Sequence, residues 1–257
     1  MKTMKLNDFL EIMEQVAPLS LAWERDNPGL ILGSDRGEIN KVLLALDCTL
    51  DTVREAIDWG ADLMLTHHPL FWEPVRRILP EDPDTAAAYL MLRHGIALYA
   101  AHTNLDAAQD GVNDQLAILL DLKDVSPLPP EMLGRIGNVS EPMSLSEFAA
   151  LSEKALQTEV RCCGNSDSPV KKVAVISGSG GGELQDVLLS GADTFFTGEL
   201  KHDQALWAQQ AGIKVIAAGH YESERIILEP LAKHLQGLTD DVQYRVTRFE
   251  TSCLRRL

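Results

Sequence analysis

Shifted against itself by 131 positions, the sequence aligns without a gap over residues 41–66. Lys41-Val42 falls on Lys172-Val173, Gly60-Ala61-Asp62 on Gly191-Ala192-Asp193 and Thr66 on Thr197, six identities in 26 positions. The apolar pattern repeats as well. Val42–Leu46 and Val173–Ile176 are short apolar runs bounded by Asp or Gly, the signature of buried parallel strands. Val53, Ala56 and Ile57 match Leu184, Val187 and Leu188 at helical spacing, and Leu63-Met64-Leu65 matches Thr194-Phe195-Phe196 as a second strand. At an offset of 117, Gly95-Ile96 meets Gly212-Ile213 and Ala100-Ala101 meets Ala217-Ala218. The shorter offset assigns a longer excursion to the first copy, at the Pro-rich run from Pro69 to Asp84. Each copy reads strand, helix, strand, helix, strand, helix, and such alternation demands crossovers. The expected fold is α/β: two similar units from an internal duplication, with mostly parallel sheets. The boundaries expected are a first unit over 1–125, a connecting segment over 126–170 and a second unit over 171–257. Within the connection, Ser144 to Ala155 has the composition of a capped helix, with Ser146 and Glu147 at its start. The tail from Val242 to Phe249 alternates like a closing strand.

Charge narrows the partners. Lys and Arg number 23 against 38 Asp and Glu, a net charge of −15. The densest cationic stretches, Arg76-Arg77, Lys171-Lys172 and Arg255-Arg256, are only pairs, so no nucleic-acid partner is expected. Cys48, Cys162, Cys163 and Cys253 form no Cys-x-x-Cys pair and read as reduced thiols of a cytoplasmic protein. Lys2, Lys5, Asn7 and Asp8 break the start of the chain, which lacks the apolar core of a signal peptide. No apolar run reaches the roughly 18 residues that cross a bilayer, so no membrane association is expected.

Ligands of open α/β sheets gather at the carboxyl ends of strands. After Leu65 come Thr66-His67-His68-Pro69; after Ala101 come His102-Thr103-Asn104-Leu105-Asp106; after Ala218 come Gly219-His220-Tyr221-Glu222-Ser223-Glu224. After Phe196 come Thr197-Gly198-Glu199, with His202 three residues on. Five of the seven histidines sit at or just after such ends; His94 and His234 do not. Imidazole and carboxylate converging on one sheet edge are the donors of a first-row transition-metal site. His220 and Glu224, four apart at a helix start, share a face. His67 and His68 are neighbours that Pro69 frees to turn toward one cluster, and Asp106 is placed to bridge two ions. Five N/O donors exceed what one tetrahedral ion with an open position needs, and suit a pair.

Thr66-His67-His68-Pro69-Leu70-Phe71-Trp72, His102 to Asp106 and Gly219 to Glu224 together resemble the signatures of the Nif-three-like proteins, also called GTP cyclohydrolase 1 type 2 homologues. The resemblance extends to Asp26-Asn27-Pro28-Gly29-Leu30 and Thr197-Gly198-Glu199, nearly the whole chain. It implies dinuclear metal ligands at His67, His68, Asp106, His220 and Glu224, a two-domain α/β fold and a toroidal homohexamer. Family members usually carry Trp directly before the Asp-Asn pair, whereas Glu24-Arg25 intervene here after Trp23. Long members insert a domain between the halves, for which the stretch between Leu120 and Lys171 is too short. Neither departure touches a ligand.

The expected function is therefore a dinuclear-metal-dependent hydrolase using a metal-activated water on a small-molecule substrate, with GTP ring opening implied by the resemblance. Zn, Fe, Mn, Co and Ni all suit the donors. His102 has two readings, proton transfer or support of the ligands. Gly178-Ser179-Gly180-Gly181-Gly182 follows a strand and reads as a tight turn, or as a contact for substrate phosphate or carboxylate. It lacks the Gly-Lys-Ser/Thr of a nucleotide P-loop, and no Gly-x-Ser-x-Gly elbow occurs. The rival function is a metal-handling or metal-dependent interaction protein without turnover.

Overall fold

The computed structural model describes residues 4–254; Met1–Thr3 and the Arg255-Arg256 pair lie outside them. Along the chain run β1 (Met4–Lys5), α1 (Leu6–Val16), β2 (Gly29–Leu32), β3 (Glu38–Ile39), β4 (Lys41–Ala45), α2 (Leu50–Trp59), β5 (Leu63–Thr66), α3 (Ala86–His94), β6 (Ala97–Ala100) and α4 (Thr103–Ala107). There follow α5 (Val112–Leu119), β7 (Lys123–Pro127), β8 (Arg135–Ser144), α6 (Leu145–Leu156), β9 (Arg161–Cys163), β10 (Pro169–Ile176), α7 (Leu184–Leu189), β11 (Thr194–Thr197), α8 (His202–Gln210), β12 (Lys214–Ala217), α9 (His220–Glu224), α10 (Leu228–Leu238) and β13 (Gln243–Val246). No helix among the described residues is long and apolar enough to cross a membrane.

Two compact units result: residues 1–108 with 227–257, and residues 109–226. This division differs from the expected 1–125, 126–170 and 171–257. The tail does not close the second sheet. β13 pairs in parallel with β4, from Gln243 opposite Lys41 to Val246 opposite Leu44, and so joins the first. The expected connection is also not a linker, because β7 and β8 extend the second sheet. Its helix, expected over Ser144 to Ala155, runs Leu145–Leu156, and Ser144 rather than Ser146 caps it in a reciprocal box with Glu147.

The first unit holds a five-stranded sheet ordered β13-β4-β5-β6-β2, parallel except for the edge strand β2. Its central strands are apolar on both faces because helices cover both. Leu43, Met64 and Leu98 stand side by side and pack on Val53 and Ala56 of α2 and Ala88 and Met91 of α3. Against the opposite face, Phe9 of α1 sets its ring edge-on to Tyr99, centroids 6.3 Å apart. The second unit holds six strands ordered β7-β8-β10-β11-β12-β9. β10, β11 and β12 pair in parallel; β8 and β9 flank them antiparallel, and β7 pairs antiparallel with β8 at the edge. Phe148 of α6 and Leu116 of α5 are fully buried against Val173, Val175 and Phe196, each such burial stabilising by roughly 1.5–3 kcal/mol.

The two parallel cores share local detail. Lys41 Nζ donates to Trp59 O at 3.0 Å, and Lys172 Nζ donates to Ser190 O at 2.9 Å. Asp62 accepts the Lys41 N–H as Asp193 accepts the Lys172 N–H. Gly60 and Gly191 end the intervening helices at φ of 72° and 73°, a left-handed turn that glycine makes without strain. These matches, each at the 131-residue offset, are compatible with an internal duplication.

Candidate metal centre

In the first unit β5 ends at Thr66, and the chain continues beside β4: His67 N donates to Ala45 O at 3.2 Å and His68 N to Leu46 O at 2.9 Å. The next strand, β6, delivers His102, the residue that opens α4. The three imidazoles meet. Ring centroids lie 5.0 Å apart for His67 and His68, 5.2 Å for His67 and His102, and 5.6 Å for His68 and His102. One ring nitrogen from each falls within 4.8 Å of the other two, a spacing that can hold a metal ion. Asp106, one turn into α4 and buried, places Oδ1 3.7 Å from His67 Nε2.

In the second unit α9 follows β12 through Gly219. Its i, i+4 spacing brings His220 Nε2 to 3.2 Å from Glu224 Oε2. Ser223 Oγ donates to His220 O and accepts the Gly178 N–H at 2.9 Å, drawing the glycine loop against α9. A Cβ on Gly178 would strike the Glu224 carboxylate and stand 3.1 Å from His220 Nε2. The loop is thus a close backbone approach to the His220–Glu224 pair. Of the remaining candidates, Glu199 contacts His220, whereas His202 is exposed at the start of α8.

Every one of these four histidines has an oxygen at Nδ1. His67 Nδ1 lies 2.8 Å from Ala101 O, His68 Nδ1 2.8 Å from Asp47 Oδ1, His102 Nδ1 2.8 Å from Asp26 Oδ1, and His220 Nδ1 3.1 Å from Glu199 Oε1. A carbonyl or carboxylate oxygen can only accept, so Nδ1 carries the proton and the lone pair sits on Nε2. Metal-binding histidines are oriented in this way. The donor chemistry therefore fits divalent transition ions, with Nε2 as the ligating atom of each ring.

Asp26 is the strongest of these partners. Its side chain is fully buried and accepts from His102 Nδ1, from Thr103 N at 3.1 Å and, in a very short contact, from Thr103 Oγ1. Burial alone raises a carboxyl pKa, but the bonds from His102 and Thr103 outweigh it and hold Asp26 down at about 2. Sequence reasoning gave neither Asp26 nor Asp47 a role. Asp47 had a signal, since it lies two residues past the end of β4 as His68 lies two past the end of β5.

A model of the DUF34/NIF3 (NGG1p interacting factor 3) family matches residues 4–253. The chain belongs to the DUF34/NIF3 family. A Clostridium perfringens relative named GTP cyclohydrolase 1 type 2 homolog is 33% identical over 253 residues, 95% of this chain and 97% of its own. A relative of the same name from Methanocaldococcus jannaschii is 33% identical, over 92% of this chain and 97% of its own. Among solved structures, Staphylococcus aureus protein SA1388 superposes with a TM-score of 0.92 at 30% identity over 100% of both chains. Reduced HcgD from Methanocaldococcus jannaschii gives 0.85 at 32% identity, over 96% of this chain and 99% of that one. The DUF34/NIF3 fold is thus the fold of this chain.

Proposed function

We propose that this DUF34/NIF3 member is a cytoplasmic, dinuclear-metal-dependent hydrolase. Its ligands for two divalent ions, drawn from Zn, Fe, Mn, Co and Ni, are the five that the resemblance implies: His67, His68, Asp106, His220 and Glu224. The observation that carries the reading is the shared Nδ1 arrangement, which aims an Nε2 lone pair from every ligand histidine. When bound, such ions act as Lewis acids and make water a nucleophile at neutral pH. The chain's own part in turnover falls to His102. Its Nδ1–H is fixed on Asp26, so Nε2 takes up a proton, and the Asp26 carboxylate stabilises the resulting imidazolium. The names of the relatives support a nucleotide substrate and a GTP cyclohydrolase-like ring opening. The resemblance supports a toroidal homohexamer.

The test is to load the protein with each metal in turn, count bound ions, and assay GTP, other nucleotides and phosphodiesters. Two ions per chain and turnover are expected. His68→Ala is expected to lose both, while His102→Ala keeps the metal and loses at least a hundredfold in rate. Fewer than one ion per chain after loading sinks the dinuclear centre. Two ions with no turnover across the panel would leave a metal-handling protein instead.

A further inference from the structure

The ladder between β13 and β4 ends where Val246 pairs with Leu44, and Thr247 N then donates to Leu44 O at 2.8 Å. Beyond that point Glu250, from the tail, takes over. Its Oε2 accepts the Leu46 N–H at 2.8 Å and its Oε1 accepts the Asp47 N–H at 2.6 Å. The same two residues hold His68 twice: Leu46 O accepts its backbone N–H at 2.9 Å, and Asp47 Oδ1 accepts its ring Nδ1–H at 2.8 Å. One carboxylate 203 or more residues away in the sequence thus grips the dipeptide that orients His68. Asp47 itself is half exposed, with 49% of its side chain accessible, so its own packing does not fix it. The two bonds on its peptide restrict where that carboxylate can point.

We propose that Glu250 is a positioning residue of the metal centre, holding Leu46-Asp47 so that Asp47 keeps the His68 ring in one plane and one tautomer. This rests on the reading of His68 as a metal ligand. A carboxylate suits this geometry, because each of its two oxygens takes one of the two adjacent N–H groups. An amide offers one and turns an N–H₂ donor against the other. Thr247 provides a control from the same tail: its hydroxyl donates to Glu55 and accepts from Phe249 N, so its side-chain hydrogen bonds among the described residues go elsewhere than Leu46-Asp47.

The experiment compares wild type with Glu250→Gln, Glu250→Ala, Asp47→Asn and Thr247→Ala. Two readouts are taken: Zn²⁺ affinity by competition with a chromophoric chelator, and His68 ring ¹⁵N shifts in metal-free protein. For both Glu250 variants and Asp47→Asn we expect Zn²⁺ affinity to fall about ten- to a hundredfold. We also expect His68 to move from a single Nδ1–H tautomer toward an average of the two. Thr247→Ala is expected to keep wild-type values in both readouts even where its thermal midpoint falls. The proposal is overturned if Glu250→Gln folds and leaves the His68 shifts unchanged while Asp47→Asn moves them. If His68→Ala binds Zn²⁺ as tightly as wild type, the ligand assignment fails, and the tautomer readout still decides the role of Glu250.

Discussion

Asp26 shows how one buried carboxylate can serve both stability and chemistry. It accepts three hydrogen bonds from two consecutive residues, His102 and Thr103, while Asn27 Nδ2 next door donates to Phe71 O at 2.7 Å. A carboxyl whose folded pKa is depressed from 3.8 to about 2 binds fewer protons folded than unfolded at acid pH. Its contribution is therefore full above pH 3.8 and is lost as pH falls through 2. The size is about 2 kcal/mol. Asp26→Asn should accordingly be less stable than wild type by about that amount at pH 6, with the gap closing between pH 4 and pH 2. Denaturant midpoints across that range check it. A gap independent of pH would mean that Asp26 acts through packing and not through its charge.

At the scale of elements, the strand-end rule made most of the candidate site legible. β5, β6 and β12 are each followed within three residues by imidazole, and an apolar run bounded by Asp or Gly is enough to find such a strand. The pairing of β13 with β4 was not legible. Those strands lie some 200 residues apart, and a short alternating run at the tail fits the edge of either sheet. The carboxylates that orient the histidines escaped for the same reason: Asp26 and Glu250 act across 76 and 203 or more residues, and no local pattern marks such a pair. The glycine loop after β10 was ambiguous between a tight turn and an anion contact. The structure supplies the reason for its first glycine. Gly178 sits at φ +56° with the Glu224 carboxylate where a Cβ would go, whereas nothing lies within 4 Å of a Cβ on Gly182. Gly178→Ala is expected to cost about 1–3 kcal/mol from backbone strain and to weaken metal binding about tenfold or more as Glu224 is displaced. Gly182→Ala should change neither thermal midpoint nor affinity. Equal effects from both substitutions would point to general loop stiffness and away from contact with Glu224.

For the whole molecule, the excursion from Pro69 to Asp84 carries the case for assembly. It divides into two parts. Leu70 and Phe71 pack onto the core of their own unit, but Trp72, Val75 and Ile78 remain 51%, 41% and 36% exposed. Trp72 also stands edge-on to His102, with centroids 5.6 Å apart, so whatever covers the exposed part also shields the histidines from bulk water. An apolar patch at that place calls for a partner, and a second copy of the chain is the partner that the proposed homohexamer would supply. Each chain carries a net charge of −15, so association has to overcome repulsion. Assembly should therefore tighten as added salt screens that charge. Trp72→Glu puts a carboxylate into the contact, where leaving it unpaired costs several kcal/mol, and should shift the protein toward smaller species that lose metal faster on dialysis. Light scattering behind size exclusion, at low and high salt, reads both effects. A wild type that elutes as a 28.3 kDa monomer at micromolar concentration in either salt would rule out the assembly, and with it a neighbouring subunit as the roof over His102.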